Sequence, residues 1–371
     1  MAGPLDGIRI LDLTRVVMGP YATQILADQG ADVIMVESAK PDTNRYMGGG
    51  PHEDLSGVAL NLLRNKRSIV LDLKSDEGKE AIRALVPTCD VVVATMRPKA
   101  LEKLGLDYDT LRELKPDLVY CQAQGFPLAS ENRDAPAYDD VIQAATGVAD
   151  ITEAVYGEGY LLPTIFADKV SGLQMSQAIT AALLKRERTG AGSHVELAMN
   201  RATTSFLLVE HGSLGITEPP MGKPGYARIM TPERRPHPTK DGMIHVLPYT
   251  PNHYDDIFGT VDWPELKDRS RYANPGKALL NGPSLYADIR RVMATRTSAE
   301  WLEFCRERSI PSTNVGRLED LVAQLPVVQH PVAGGYRVTD TGAYFDGEGA
   351  ELRLHAPMPG EHNDEILGPV Q

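Results

Sequence analysis

The first third of the chain alternates short apolar runs with amphipathic stretches. Ile8–Leu13 reads as a strand, and Gly19-Pro20 opens a helix over Tyr21–Asp28, with proline at a tolerated helix start. Strands are expected at Ala31–Glu37, Ser68–Leu73, Asp90–Ala94 and Leu118–Ala123. Ser75 is placed to cap a helix running to Val86, and helical turns are predicted at Leu101–Leu104 and Asp109–Leu114. Several of the strands are apolar on both faces. Alternating with helices, they define an α/β fold with a parallel sheet covered on both sides.

Further along, a helix is predicted over Asp139–Val148 and a longer one from Phe166 to Arg188, stopped by Thr189-Gly190-Ala191-Gly192. A strand over Ser193–Met199 and an apolar helix over Ala202–Val209 follow. Glu218–Pro238 is rich in proline and glycine and reads as a linker. A strand is expected within Asp241–Leu247, helices around Asn252–Phe258, Ser284–Ala294 and Ala299–Glu307, and terminal strands at Tyr336–Phe345 and Glu351–Leu354.

Composition narrows the function. The 371 residues carry 38 basic and 50 acidic side chains, a net charge of −12. That disfavours sequence-independent nucleic-acid binding or an anionic membrane surface. Three scattered cysteines offer no metal or redox motif and fit buried thiols in a reducing compartment. No charged N-terminal segment precedes an apolar run and no span approaches membrane length, so neither nucleic acid nor membrane is an expected partner and the expected location is cytoplasmic.

Familiar cofactor signatures are missing. There is no phosphate-binding Gly-x-x-x-x-Gly-Lys-Ser/Thr loop, and Thr14–Pro20 is not a Gly-x-Gly-x-x-Gly turn. The scattered histidines indicate no metal site. The basic run Arg64-Asn65-Lys66-Arg67 reads as a solvated loop, with phosphate binding as the alternative. Asp168 stands at the start of the long helix, where an acid is ordinarily a favourable charge at the dipole.

Segments spread over nearly the whole chain point further. They are ILDLTRVVMGPYATQILADQGADVIMVE (10–37), RNKRSIVLDLK (64–74), MRPKALEKLGLDYDTL (96–111), YDDVIQAATGV (138–148), PTIFADKVSG (163–172), AALLKRERTGAGSHVELAM (181–199), RRPHPTKDGMI (234–244) and PMPGEHNDEIL (357–367). In this order the chain resembles the family III CoA-transferases, the CaiB–BaiF group, which also includes the α-methylacyl-CoA racemases. The resemblance implies a Rossmann-like large domain from residues 1–200 and 326–371, a small domain over 226–305, and linkers at 201–225 and 306–325. It also implies a homodimer of interlocked chains. It casts Asp168 as a nucleophile that forms an aspartyl anhydride and then an aspartyl–CoA thioester, moving CoA between an acyl-CoA and a carboxylic acid. A helix N-terminus is expected to keep that carboxylate ionised. CoA would be held by Val16, Leu71, Lys74, Arg97, Lys103, Leu104 and Tyr138, the lysines and Arg97 meeting phosphates. No metal is implied.

The departures carry information too. Formyl-CoA transferase has a glutamine where this chain has Val17, and four consecutive glycines where this chain has Gly222-Lys223-Pro224-Gly225. Formate and oxalate are therefore poor candidate substrates. Where the racemases keep a histidine and a glutamate, this chain has Tyr138 and Thr250. Inversion at an α-carbon needs two groups of suitable pKa, and an ordinary tyrosine near ~10 is a poor replacement for a histidine near ~6.5. Transfer is favoured over racemisation, for which His253 is the weak candidate second base. A CoA-binding subunit without activity is the third reading.

Overall fold

The computed structural model describes residues 3–368. The chain divides into two compact units. Among the described residues the first comprises 3–147, 162–206 and 325–368; the second comprises 148–161 and 207–324.

The first unit is built on a six-stranded parallel sheet of order β3-β2-β1-β4-β5-β6. Its strands are β1 (Arg9–Leu13), β2 (Asp32–Glu37), β3 (Lys66–Val70), β4 (Val91–Ala94), β5 (Val119–Gln124) and β6 (Ser193–Ala198). Between them come α1 (Met18–Asp28), α2 (Thr43–Tyr46), α3 (Gly57–Leu62), α4 (Asp76–Leu85), α5 (Pro98–Leu104), α6 (Tyr108–Leu114), α7 (Asp139–Ala145) and the 23-residue α9 (Ala167–Thr189). Helix α8 (Val148–Tyr156) belongs to the second unit. Strand parity sorts the core. Ile10, Val33, Val91, Val93, Val119 and Cys121 pack with α1 and α9, while Leu11, Leu13, Ile34, Val92 and Tyr120 pack with α4, α5 and α6. Helix α10 (Met199–His211) follows β6 without a break.

The second unit has its own core of Ile244, Ile257, Leu285, Ile289, Trp301 and Cys305. It combines β7 (His237–Pro238), β8 (Met243–Val246), α11 (Pro251–Phe258), α12 (Pro275–Leu280), α13 (Gly282–Met293), α14 (Ser298–Glu307), β9 (Ser312–Asn314) and α15 (Leu318–Gln324). The capping box of Thr297 and Glu300 starts α14. The first unit is completed by the hairpin β10 (Val327–His330) and β11 (Gly334–Arg337) and by the short α16 (Asn363–Leu367).

Three expectations are corrected. The tail strand ends at Arg337 rather than continuing to Phe345, and Glu351–Leu354 is no strand. That last segment is tied to Asn65 instead of a ladder: the Arg353 and Leu354 amides donate to Asn65 Oδ1, Asn65 Nδ2 donates to the Glu351 carbonyl, and the Asn65 amide donates to the Leu354 carbonyl. The helix predicted to Val148 stops at Ala145, because Gly147 takes a positive φ of 94° before α8 begins.

The basic run is neither solvated nor a phosphate site. Lys66 is wholly buried, and its ammonium donates to Thr23 Oγ1 at 2.8 Å and the Pro20 carbonyl at 2.9 Å, 3.4 Å from Asp12 Oδ2. Arg64 pairs with Asp28 at 2.7 Å, and Arg67 with Asp32 and Glu365, each at 2.6 Å. Nearby, Arg45 pairs with Glu37 and also donates to the Pro357 carbonyl. The cations of this segment are consumed by internal carboxylates. Burial pulls the Lys66 pKa down, and the Asp12 charge opposes that pull.

Lys66→Met strands Asp12 as a buried charge, so it is expected to destabilise the protein by about 3–5 kcal/mol. Replacing Asp12 with Leu in the same chain should recover much of the loss. Urea unfolding midpoints of the wild type, single and double variants test this; equal midpoints for wild type and Lys66→Met would contradict it.

Candidate active site

The site lies at the carboxyl ends of the strands. In the order β3-β2-β1-β4-β5-β6, the connections from β1 and β4 leave in opposite directions. Such a switch point opens a crevice in doubly wound sheets. Here it holds a cavity of about 420 Å³ lined by residues that follow β1 (Arg15, Val16, Met18) and β4 (Thr95, Met96, Arg97), by the end of β5 and the residue after it (Gln124, Gly125), and by Arg133, Tyr138, Asp168 and Met199.

The turn after β1 is strained and pinned. Val16 has φ of 66°, unfavourable for a β-branched residue. Asp42 Oδ1 accepts the Val16 amide at 2.9 Å, and Asn44 Nδ2 donates to the Val16 carbonyl at 3.2 Å. At the strand end, Asp12 Oδ1 accepts from the Thr14 amide, and Asp12 Oδ2 accepts from the Thr23 hydroxyl. The turn thus delivers Met18 at the start of α1, and the Met18 amide donates toward the Asp168 carboxylate.

Two glycines permit this closeness. A Cβ on Gly172 would stand 2.7 Å from the Met18 carbonyl and 3.1 Å from the Tyr21 ring, so Gly172 lets α9 approach α1. A Cβ on Gly125 would stand 2.2 Å from Ala137 Cβ, so Gly125 lets the segment before Tyr138 close over the end of β5.

Asp168 is 8% exposed, in the first turn of α9. Its amide donates to Asp139 Oδ1 at 3.0 Å, and Gln143 Nε2 donates to Asp139 Oδ2 at 2.6 Å. The Asp168 carboxyl is pushed up to about 7: burial is the main cause, the Asp139 charge adds to it, and the Met18 amide opposes both. The expectation of a carboxylate kept fully ionised by the helix dipole is therefore corrected. Desolvation and a second carboxylate outweigh the Met18 amide.

The cavity brings together Val16, Arg97, Tyr138 and Asp168 from the residues singled out in the sequence. Leu71, Lys74, Lys103 and Leu104 lie outside its lining. Leu71 and Leu104 pack on the core beneath α4–α6, while Lys74 and Lys103 are exposed. Among the described residues no carboxylate pairs with Arg97, Lys74 or Lys103, whereas Arg15 approaches Asp42 and Arg133 holds Glu102 and Asp134. Sequence reasoning missed Met18, Asp139 and Gln124. Asp139 had a signal, the Asp-x-x-x-Gln spacing that sets Asp139 and Gln143 on one helical face. Met18 acts through its backbone and had none.

A larger cavity, about 860 Å³, is lined by Tyr21, Gln24, Asp28, Arg64, Asp340 and Phe345 among others. Its Asp28 and Arg64 already pair with each other. His253, the weak second-base candidate, is engaged locally, its Nδ1 accepting the Tyr249 amide while Thr250 caps α11. Among the described residues no group of three or more metal-ligating side chains converges, and no helix is long and apolar enough to cross a membrane.

A buried carboxylate beside a crevice with an unpaired arginine suits covalent chemistry on an anionic acyl carrier. Comparison with known proteins gives the family. The model of CoA-transferase family III matches residues 5–363, and the chain belongs to that family. It is 30% identical to the succinate–glutarate CoA-transferase of Agrobacterium fabrum, over 99% of this chain and 96% of the relative. It is 32% identical to the succinyl-CoA:mesaconate CoA-transferase of Haloarcula hispanica, over 86% and 82%. A Mycobacterium tuberculosis crystal structure superposes with a TM-score of 0.84 at 28% identity, covering 99% of both chains. A CaiB/BaiF family protein from Brucella suis superposes at 0.80 with 27% identity, again over 99% of both.

Removing the Asp139 charge removes the second cause of the Asp168 shift. Asp139→Asn should move the acid limb of the activity profile from near pH 7 to lower pH. Rates with a saturating acyl-CoA across pH 5–9 test this, and an unmoved limb would contradict it. The same shift has a stability consequence. A carboxyl with a raised folded-state pKa favours the folded state below its unfolded value near ~4, and that advantage is lost as pH rises through about 7. Asp168→Asn should therefore gain on the wild type with rising pH, by at most ~1.4 kcal/mol per pH unit, and level off above the folded-state value. A stability difference independent of pH would count against a raised Asp168 pKa.

Proposed function

We propose that Asp168 is the nucleophile of CoA transfer between an acyl-CoA and a free carboxylic acid. The carrying observation is that, among the described residues lining the crevice, Asp168 is the single carboxylate, is buried, and has no histidine beside it. The ionised carboxylate attacks the thioester carbonyl. The C–S bond breaks, giving the acyl–aspartyl anhydride and CoA thiolate. The thiolate then attacks the aspartyl carbonyl, releasing the donor acid and leaving an aspartyl–CoA thioester. The acceptor carboxylate reverses the sequence and leaves as the new acyl-CoA.

A pKa near 7 suits both halves of this cycle. About half the groups are ionised at neutral pH, and an elevated pKa gives a more basic, more reactive carboxylate. The Met18 amide, which donates to the Asp168 carboxylate, is assigned to the oxyanion that develops on the aspartyl carbonyl. Arg97 and, beyond the crevice, Lys74 and Lys103 are assigned to CoA phosphates; Val16, Leu71 and Leu104 to the adenine; Tyr138 to the mouth of the site. Racemisation is disfavoured because the described lining offers no imidazole as a second base.

The same proposal includes a CoA-binding large domain of residues 1–200 and 326–371, a small domain of 226–305, linkers at 201–225 and 306–325, and a homodimer of interlocked chains. The dimer is supported by apolar side chains left open in the single chain: Val209, Ile216 and Met221 are 83%, 70% and 75% exposed, and Leu318 is 81% exposed. Buried free thiols at Cys89, Cys121 and Cys305 suit a cytoplasmic setting. The named acids of the relatives make succinyl-CoA with glutarate or mesaconate the first pairs to assay.

Asp168→Asn should abolish CoA exchange between acids yet keep CoA affinity within about threefold of the wild type. Arg97→Ala or Lys74→Ala should instead weaken CoA binding, by roughly 1.5–3 kcal/mol for a well-formed contact and less where exposed. Chromatographic exchange assays and calorimetric titration measure the two effects. Rapid exchange of the substrate α-proton with deuterated solvent, without CoA transfer to any acid, would overturn the transferase reading in favour of a racemase.

A further inference from the structure

Gln124 is the last residue of β5. Val119, Cys121 and Ala123 point into the core under α1 and α9, and Tyr120 into the opposite one. The two-residue period puts Gln124 on the Tyr120 face, toward α5. It is 5% exposed, and among the described residues neither Nε2 nor Oε1 has a hydrogen-bond partner. A carboxamide so buried ordinarily satisfies both ends. The residue lines the crevice that also holds Asp168 and Arg97.

The unmet needs define the ligand. Gln124 presents a donor and an acceptor on one planar group. A carboxylate, a phosphate or a thioester carbonyl only accepts, and would leave Oε1 unpaired. A trans secondary amide points its N–H and C=O to opposite sides, but two secondary amides in series can present the N–H of one and the C=O of the next on one edge, and so meet both ends. The pantetheine arm of CoA carries two such amides between its thiol and its phosphates. With the thioester at Asp168 and the phosphates toward Arg97, that arm must run through the same crevice.

We propose that Gln124 is a binding residue that pairs with the two pantetheine amides of the acyl-CoA, Nε2 donating to the carbonyl of one and Oε1 accepting from the N–H of the other. This assignment rests on the CoA reading of the site and adds to it a means of recognising the arm rather than the nucleotide. Among the described residues its carboxamide holds no protein group, so an apolar side chain of similar length in its place is expected to leave folding intact.

The test compares CoA with adenosine 3′-phosphate 5′-diphosphate, which keeps the phosphates and lacks the arm. Calorimetric titration of the full chain is run for the wild type, Gln124→Met and Gln124→Leu, beside thermal unfolding without ligand. The expected result is a roughly tenfold loss of CoA affinity in either variant, two neutral hydrogen bonds being removed. Affinity for the nucleotide should be unchanged, and the ligand-free melting temperature equal to or above that of the wild type. If the wild type binds CoA and both variants bind it equally well, the Gln124 assignment is wrong while the CoA site stands. An equal loss for CoA and nucleotide, or a melting temperature lowered by several degrees in both variants, makes Gln124 a structural residue and overturns the proposal. A wild type that binds neither compound removes the CoA reading and this assignment with it.

Discussion

A lysine ammonium sealed within the first unit holds together the parts that make the site. Lys66 on β3 has no solvent contact, so its charge must be met inside, and Asp12, Thr23 and the Pro20 carbonyl meet it. Those partners sit at the end of β1 and in the first turns of α1. The segment between them is the strained turn through Val16. A buried charge network is sensitive to the loss of any one member. That sensitivity is what fixes a turn whose own backbone preference runs the other way.

From this turn the chemistry follows by short steps. The turn places Met18, Gly172 lets α9 come against it, and Asp168 meets the Met18 amide. Asp139, braced by Gln143, holds the Asp168 backbone and raises its carboxyl pKa at the same time. One residue thus serves position and proton affinity together. The fold spends Arg45, Arg64, Lys66 and Arg67 on internal carboxylates, while among the described residues Arg97, Lys74 and Lys103 have no carboxylate partner. Under the proposed function these are the cations that an acidic chain reserves for an anionic substrate.

Much of the fold was legible because buried parallel strands are apolar on both faces. β2, β4 and β5 fell within a residue or so of their expected bounds, and Ser75 capped α4 as its spacing suggests. What failed depended on distant partners. Glu351–Leu354 has strand-like residues but finds Asn65 instead of a neighbouring strand. The Arg64–Arg67 run looked solvated because Asp12, Asp28 and Asp32 lie far away in sequence. At the site, Asp168 and Arg97 were readable through resemblance, while Met18 and Gln124 were not. A backbone donor and an unmet carboxamide are visible only once the strands have been laid side by side.

The central claim is that the Asp168 side chain becomes covalently bound to the substrate during turnover. Its most direct measurement is mass spectrometry of peptides from enzyme mixed with a competent acyl-CoA and quenched with hydroxylamine. A hydroxamate on the peptide containing Asp168, formed only when acyl-CoA is present and absent from Asp168→Asn, is the result expected. An unmodified Asp168 peptide during active CoA transfer, or a hydroxamate on another carboxylate, would contradict the account.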